Sequence, residues 1–357
     1  MQIALLVPGD LRTATGGYAY ARRLVRGLRE AGHRVDRLRL SDTFPRPDAR
    51  ALDHADRLLG DLPDRTITVI DGLAFGAMPG VVRAHAERLA LVALVHHPLA
   101  AETGLAPDEA RDLDAAERCA LAYARRVVVT SASTAGMIET MGVSRTRIVV
   151  VEPGTDPAPP SRANASPRAA QAAAHRQVAL LCVATLTPRK GHADLLAALA
   201  RMTDLSWRLD CVGSATRDPR TAEAVRAEVA ERGLSARVSL HGEVGPRRLS
   251  ALYRAADAFV LPSRMEGYGM AFAEALAFGL PVVGCRAGAV PDTVPPDASL
   301  LVPAGDLDAL AAALRNLVSD PALRSRLAEG AMRAGARLPD WPSRARAFAH
   351  ALDDLAD

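Results

Sequence analysis

Short apolar runs rich in β-branched residues alternate along this chain with longer Ala/Leu/Arg segments of helical period. That rhythm is the mark of successive βαβ units, which build a parallel sheet covered by helices on both faces. In the first half the predicted strands are Ile3–Val7, Val35–Leu40, Thr66–Asp71, Leu91–Val95, Arg126–Thr130 and Ile148–Val151. In the second half they are Val178–Ala184, Trp207–Val212, Val238–His241, Ala258–Leu261, Pro281–Gly284 and Leu300–Val302. Six follow six, and 357 residues are more than one hydrophobic core usually organises. The predicted fold class is therefore α/β, with two similar, doubly wound, Rossmann-like domains. Ligands of open α/β sheets bind beyond the carboxyl ends of the strands. Two such sheets facing each other predict a cleft between the domains, so the residues that follow strands are where function is sought.

The predicted boundaries are an N-terminal domain over 1–156, a linker over 157–177, a second domain over 178–338 and a tail over 339–357. The run Pro157–Pro167 carries four prolines among small and polar residues, as an exposed linker would. The Ala-rich stretch after it, to about Gln177, is a candidate helix. In the tail, Pro342 suits a first helical turn, and Trp341, Ala345, Phe348, Ala349 and Leu352 fall near one face.

Composition removes several classes of function. Hydrophobic residues make up 49% and charged residues 24%, which is ordinary for a globular chain. A net charge of +3 with mixed signs leaves no basic stripe for nucleic acid. Cys119, Cys182, Cys211 and Cys285 form no CxxC and fit no metal or disulfide spacing; the last three lie in apolar, strand-like runs and read as small buried hydrophobes in a reducing compartment. MQIALLVPGD reads as a strand rather than a signal peptide, and no run reaches the roughly 18 to 20 apolar residues of a membrane span. The expected location is cytoplasmic. Arg22, Arg23, Arg26 and Arg29 on the first helix leave a peripheral membrane contact open, against a plain solvated face.

The strongest motif runs from Leu261 to Val283: a strand end, a glycine-containing loop, a helix and the next strand. Gly267 and Gly269 let backbone approach a ligand closely. The helix beginning at Met270 and Ala271 offers free N–H groups and a positive dipole end to phosphate or hydroxyls. Glu266 before the loop and Glu274 one turn into the helix can each accept hydrogen bonds from a hydroxyl pair. In Val183-Ala-Thr-Leu-Thr-Pro-Arg-Lys-Gly-His192, Arg189 and Lys190 follow a strand and open a helix, a pairing suited to a diphosphate. Lys190 is the one lysine among 44 cationic residues. Fixed cations there stabilise charge that builds on a leaving phosphate. Gly16-Gly17 follow the first strand, and His96 and His97 follow the fourth. In an extended chain the two histidines point to opposite sides, so one of them enters the site, with His96 the first choice.

These segments resemble the family 4 glycosyltransferases of the GT-B fold. Glu266 and Glu274 match their Glu-x7-Glu, and the surrounding Pro-Ser…Glu-Gly-Tyr-Gly…Gly-Leu-Pro-Val-Val matches nearly throughout. Lys190-Gly191, Gly16-Gly17, Pro153-Gly-Thr-Asp156, Cys211-Val-Gly213-Ser214, Leu240-His-Gly-Glu-Val244 and Gly288-Ala-Val-Pro-Asp292 resemble further family segments. Two departures stand out: Thr185 or Leu186 replaces a common early Arg, which leaves Arg189 as its candidate substitute, and Asp292 replaces a Glu. The resemblance implies that Glu266 contacts hydroxyls of the transferred sugar and Glu274 the nucleotide ribose. It also implies that the amides of Gly269, Met270 and Ala271 lie against the donor, that Lys190 grips the diphosphate, and that the last helix returns to the first domain. Glu102-Thr-Gly104 is a candidate wall of the acceptor pocket.

The implied activity is retaining transfer of a hexose-type sugar from a UDP- or GDP-sugar to a hydroxyl acceptor that is a saccharide, a lipid or a small metabolite. The nucleotide sugar is a co-substrate and no cofactor is implied. Asp112-Leu-Asp114 and Asp306-Leu-Asp308 lie in helix-like segments away from the glycine loops, so a metal-free site is expected. A front-face reaction is expected, with domain closure bringing Gly16-Gly17 and His96 over the donor. The alternatives are an epimerase or hydrolase of the same fold, an NAD-dependent oxidoreductase, which lacks its G-x-G-x-x-G here, and a non-catalytic sensor.

Overall fold

β-Branched runs bounded by glycine and proline pair side by side in register, and the helical segments between them cover the faces of the resulting sheets. A computed structural model describes residues 1–13, 15–158 and 177–355. The proline-rich run beyond Ala158 and the Ala-rich candidate helix lie outside the described residues. The chain divides into two compact units, Met1–Gly154 with Pro339–Asp357, and Thr155–Leu338.

In the first unit the strands are β1 (Gln2–Pro8), β2 (Arg34–Leu40), β3 (Ile67–Asp71), β4 (Ala90–Val95), β5 (Arg126–Val129) and β6 (Ile148–Val150). The helices are α1 (Gly16–Glu30), α2 (Ala49–Gly60), α3 (Gly72–Phe75), α4 (Pro79–His85), α5 (Pro107–Leu121) and α6 (Ala132–Thr140). All strand pairs are parallel, in the order β2-β1-β3-β4-β5-β6. Central β4 is buried at every residue, as a strand covered on both faces must be, whereas edge strand β2 alternates. The chain reverses its direction of winding between β1 and β3, so the crevice beyond their carboxyl ends is this unit's ligand position.

The second unit contains β7 (Val178–Val183), β8 (Trp207–Val212), β9 (Val238–Leu240), β10 (Ala258–Leu261), β11 (Val282–Cys285) and β12 (Ser299–Val302). Its helices are α7 (His192–Ala200), α8 (Pro219–Glu231), α9 (Pro246–Ala255), α10 (Met270–Ala277), α11 (Val290–Thr293), α12 (Leu307–Ser319) and α13 (Pro321–Gly335). The parallel order is β12-β11-β10-β7-β8-β9, with the reversal between β7 and β10. The twelve strands fall within one residue of their predicted bounds at each end, but the two sheets are not copies. One winds outward by a single strand before returning and the other by two.

Helix α14 (Trp341–His350) starts at Asp340, whose carboxylate accepts the Ser343 amide at 2.8 Å, with Pro342 in its first turn. It ends sooner than the periodicity to Leu355 suggests and closes in a short 3-10 turn at Asp353–Leu355. It packs on α1, where Gly27 lies against Ala345, and a Cβ on Gly27 would stand 2.5 Å from the Ala345 Cβ. Gly154 is equally close to the Trp341 backbone. Arg126 fastens the end of the helix by donating to the Ala351 carbonyl at 2.7 Å and pairing with Asp354 at 2.5 Å.

Of the α1 arginines, Arg26 and Arg29 are exposed and Arg22 and Arg23 half-buried, and all four have partners within the first unit. Arg22 donates to the Leu11 and Thr13 carbonyls, Arg29 donates to the Val35 carbonyl at 2.5 Å, and Arg26 pairs with Glu30 at 2.7 Å. Arg23 lies over the Trp341 ring, 6.0 Å from its centroid. Among the described residues no helix is long and apolar enough to cross a membrane. Of the four cysteines, Cys182, Cys211 and Cys285 are buried and Cys119 is exposed.

Gly27→Ala is expected to push α14 off α1 and cost about 1–3 kcal/mol, as overpacking does. Ala345→Gly in the same chain should recover part of that loss. A double-mutant cycle from urea unfolding followed by tryptophan fluorescence measures the coupling, and strictly additive losses would refute the contact.

Candidate active site

The carboxyl ends of β7 and β10 bring together the two strongest sequence motifs. After β7 the chain makes a 3-10 turn, Pro188–Lys190, and Gly191 takes a left-handed conformation (φ 72°) before α7 begins. Arg189 and Lys190 thus sit in the turn ahead of the helix rather than in its first turn. Gly191 is forced by proximity as well as by φ, since a Cβ there would stand 2.2 Å from the Pro262 carbonyl oxygen. The Arg264 amide donates to the Arg189 carbonyl at 2.8 Å and ties the two loops together.

Within this frame the Lys190 Nζ donates to Glu266 Oε1 at 2.6 Å, and the Ser263 hydroxyl donates to the same oxygen at 2.6 Å. Arg189 donates to the Met265 carbonyl at 2.6 Å and approaches Glu266 Oε2 at 3.8 Å. Glu266 is 6% exposed. Burial alone pushes its carboxyl pKa up; the charges of Lys190 and Arg189, with the hydrogen bonds from Lys190 and Ser263, outweigh burial and hold it below the ordinary range. A depressed acid stabilises the fold above its unfolded pKa, and that contribution is lost as pH falls through its folded value. Glu266 is therefore a fixed, ionised acceptor at neutral pH. On its far side Gly288 (φ 53°) fits where a Cβ would stand 2.2 Å from the Glu266 carbonyl, and the Ala289 amide donates to that carbonyl at 2.9 Å.

Gly267 begins the loop to α10, and Gly269 (φ 89°) is its N-terminal cap, so Met270 and Ala271 supply first-turn amides. Glu274 lies one turn on and accepts from the Tyr253 hydroxyl at 2.9 Å. Gly213, after β8, presses on β7's exit: a Cβ there would stand 1.9 Å from the Ala184 carbonyl. The position of the family's early Arg is filled by half-buried Thr185 and by Leu186, which is buried in the core. Arg189 instead reaches the same carboxylate as Lys190.

In the first unit, Gly16-Gly17 form the N-terminus of α1, and His96 leaves the carboxyl end of β4. A Cβ on Gly17 would lie 3.6 Å from His96 Nε2. His96 faces buried Asp71 at the end of β3, Nε2 to Oδ2 3.7 Å, and the Tyr20 ring meets it edge-on at 5.3 Å. The next histidine, His97, is instead 3.6 Å from Glu102. Beneath this loop Glu117 of α5, 1% exposed, accepts the Leu99 amide at 2.8 Å.

Ser263, Tyr253, Asp71 and Glu117 carry no role in the sequence reading. Ser263 stands three residues before Glu266 and was findable from that spacing. The other three lie 18 to 25 residues from their partners, Glu274, His96 and Leu99, and meet them through the fold alone. Among the described residues no three His, Cys, Asp or Glu side chains are grouped as metal ligands. Asp306 caps α12 through the Ala309 amide at 2.9 Å, and Asp112 and Asp114 lie on α5.

Two family models match the chain, Glycosyltransferase Family 4 over residues 14–159 and Glycosyl transferases group 1 over 166–334. The MMP alpha-(1->4)-mannosyltransferase of Mycolicibacterium hassiacum is 29% identical over 316 residues, 84% of this chain and 73% of that protein. The D-inositol 3-phosphate glycosyltransferase of Xylanimonas cellulosilytica is 33% identical over 235 residues, 62% of this chain; the chain spans 55% of that relative's length. Sucrose-phosphate synthase from Thermosynechococcus elongatus shares the fold, with a TM-score of 0.80 and 22% identity over 99% of this chain and 98% of that one. Anabaena HepE, solved with UDP-glucose, has a TM-score of 0.75 at 17% identity over 98% and 99% of the two chains. Fold, motifs and matches together define a glycosyltransferase built from two Rossmann-like domains of the GT-B class. The chain belongs to glycosyltransferase family 4.

Burial raises the Glu117 carboxyl to about 7, with the Leu99 amide pulling it back in part. Between its ordinary 4.5 and that value the folded chain keeps a proton that the unfolded chain releases. Stability therefore falls as pH rises through this window, by on the order of 3 kcal/mol. Glu117→Gln cannot ionise and should flatten this slope, so that its advantage over the wild type grows from pH 5 to pH 8 in urea unfolding. Equal slopes in the two proteins would refute the buried, proton-holding Glu117.

Proposed function

We propose that this glycosyltransferase moves a hexose-type sugar from a UDP- or GDP-sugar to a hydroxyl of its acceptor, with retention of anomeric configuration and without a metal ion. The observation that carries the reading is the convergence of Lys190, Arg189 and Glu266 at the β7/β10 reversal of the second unit, beside the N-terminus of α10. Two cations against one carboxylate leave a net positive charge for the diphosphate, and the α10 amides add to it. Glu266 accepts from hydroxyls of the transferred sugar, and Glu274 from the ribose. Gly213, Gly267 and Gly269 let backbone close on the donor.

The first unit binds the acceptor, with Gly16-Gly17 and His96 at its β1/β3 reversal. The bond from the anomeric carbon to the diphosphate oxygen breaks, and a bond to the acceptor oxygen forms on the same face. The acceptor's proton passes to the leaving phosphate. A carboxylate already gripped by Lys190 and Ser263 is a better hydrogen-bond acceptor than nucleophile, which favours this route over a covalent glycosyl-enzyme. Relatives named for mannosyl transfer, one of them GDP-mannose-dependent, and a fold neighbour solved with UDP-glucose support a nucleotide-sugar donor of this kind.

Thermal unfolding with UDP, GDP and ADP, each with and without EDTA, tests the donor site. The true base at 100 times its Kd should stabilise the chain by about 2.7 kcal/mol. EDTA should change nothing, and Lys190→Ala should abolish the shift. Glu266→Gln should lower turnover by about 100-fold or more, as the loss of a transition-state contact does. A panel in which no nucleotide raises Tm overturns the donor site. A product of inverted configuration by NMR overturns retention.

A further inference from the structure

Glu274 meets a side chain to which no part of the proposed reaction assigns a task. Tyr253 of α9 is 2% exposed, and its ring is stacked on Phe278 (centroids 5.0 Å, planes 11° apart) and Phe259 (6.3 Å, 22°). Two aromatic faces fix the ring, so the hydroxyl has one place to be. It donates to Glu274 Oε2 at 2.9 Å, with the Ala271 carbonyl further off at 3.4 Å. Burial first, and then the charge of Glu274, hold the phenol well above its ordinary pKa, so it stays a donor at any working pH. Phe278, one of the stacking partners, is the C-terminal cap of α10, and its amide donates to the Glu274 carbonyl at 3.1 Å. The ring that carries the hydroxyl thus packs on the end of the helix that carries the carboxylate.

A half-buried glutamate on its own keeps several rotamers, and ordering it on ligand binding costs free energy. A buried phenol at a fixed point removes that freedom in advance. We propose that Tyr253 is a positioning residue that holds the Glu274 carboxylate in the orientation that reads the nucleotide's ribose hydroxyls. Selection for ribose over deoxyribose then depends on a hydroxyl that never touches the nucleotide. The inference rests on the assignment of Glu274 to the ribose and adds the device that makes it selective.

Isothermal titration with UDP, 2′-deoxy-UDP and 3′-deoxy-UDP (or the guanosine set, if GDP is the stabilising base) tests it in the wild type, Tyr253→Phe and Glu274→Gln. Phenylalanine keeps both ring stacks, and the melting temperature without ligand checks that the unit is intact. The wild type should prefer the ribonucleotide by about tenfold or more over at least one deoxy analogue, the scale of a hydrogen bond to a charged group. Tyr253→Phe should bring that preference below about threefold while leaving the affinity for the same deoxy analogue unchanged. Equal loss of affinity for ribo- and deoxynucleotide would mean that Tyr253 merely supports the fold, and overturns the inference. A preference that vanishes in Glu274→Gln but survives in Tyr253→Phe overturns the inference alone. A wild type indifferent to both ribose hydroxyls overturns the Glu274 assignment and the inference with it.

Discussion

A buried carboxylate paired with a lysine at 2.6 Å organises the second unit's site, and much of the surrounding chain exists to make that contact possible. Taking two charges out of water is costly, and their attraction offsets the cost only when geometry is good and the remaining lone pairs are satisfied. Here the remaining valences are met by Ser263 and, at longer range, by Arg189. The geometry is enforced by backbone. Gly191 and Gly288 each stand where any side chain would collide with a carbonyl of the β10 loop, and the Arg264–Arg189 backbone bond links the two loops directly. Glu266 is thereby fixed as an ionised acceptor before any ligand arrives. Preorganised charge of this kind is where enzymes obtain much of their transition-state stabilisation.

The first unit uses the same fold logic with weaker contacts. Its reversal falls one strand earlier, between β1 and β3, and the residues there are two glycines, a buried aspartate and a histidine rather than a tight ion pair. Asp71 pairs with Leu94 at the end of the β3–β4 ladder, and Gly72 after it packs close to β4, where a Cβ would stand 3.1 Å from the Leu94 carbonyl. Glu117, held under the next turn, takes the Leu99 amide that would otherwise be buried without a partner. Tyr20, wedged between His96 and Trp341, couples that histidine to the tail helix through ring contacts at 5.3 and 5.8 Å.

Much of this was legible in the linear chain, for physical reasons. Strands such as Ala90–Val95, buried on both faces, must be apolar throughout, so their limits can be read from composition alone. Motif residues on a single loop and helix, Glu266 through Glu274, keep their spacing in space. Strand order was not legible, because the apolar period of a strand says where it lies in the layer and nothing about its neighbour. That is why two sets of six strands looked alike and folded to different orders. Tyr253 and Asp71 escaped for a related reason: a buried phenol at helical spacing and an acid at a strand end are ordinary features until the fold supplies their partners. Arg22 and Arg29, read as part of a charged face, also reach backbone carbonyls of their own unit, contacts that the linear chain does not show.

The lone lysine makes physical sense in these terms. Elsewhere the chain uses arginine as its cation, whose planar fork can grip both oxygens of a carboxylate, as Arg315 does with Asp204 at 2.8 and 2.9 Å. Around Glu266 both carboxylate oxygens have neighbours besides Lys190. Arg189 already spans from the Met265 carbonyl toward Oε2, and Ser263 occupies Oε1 from the buried side. Lys190 adds a compact ammonium that reaches Oε1 at 2.6 Å with one of the three donors that Nζ carries. A compact ammonium and a planar guanidinium are not interchangeable at such a contact, and position 190 is where a chain otherwise built with arginine carries the ammonium.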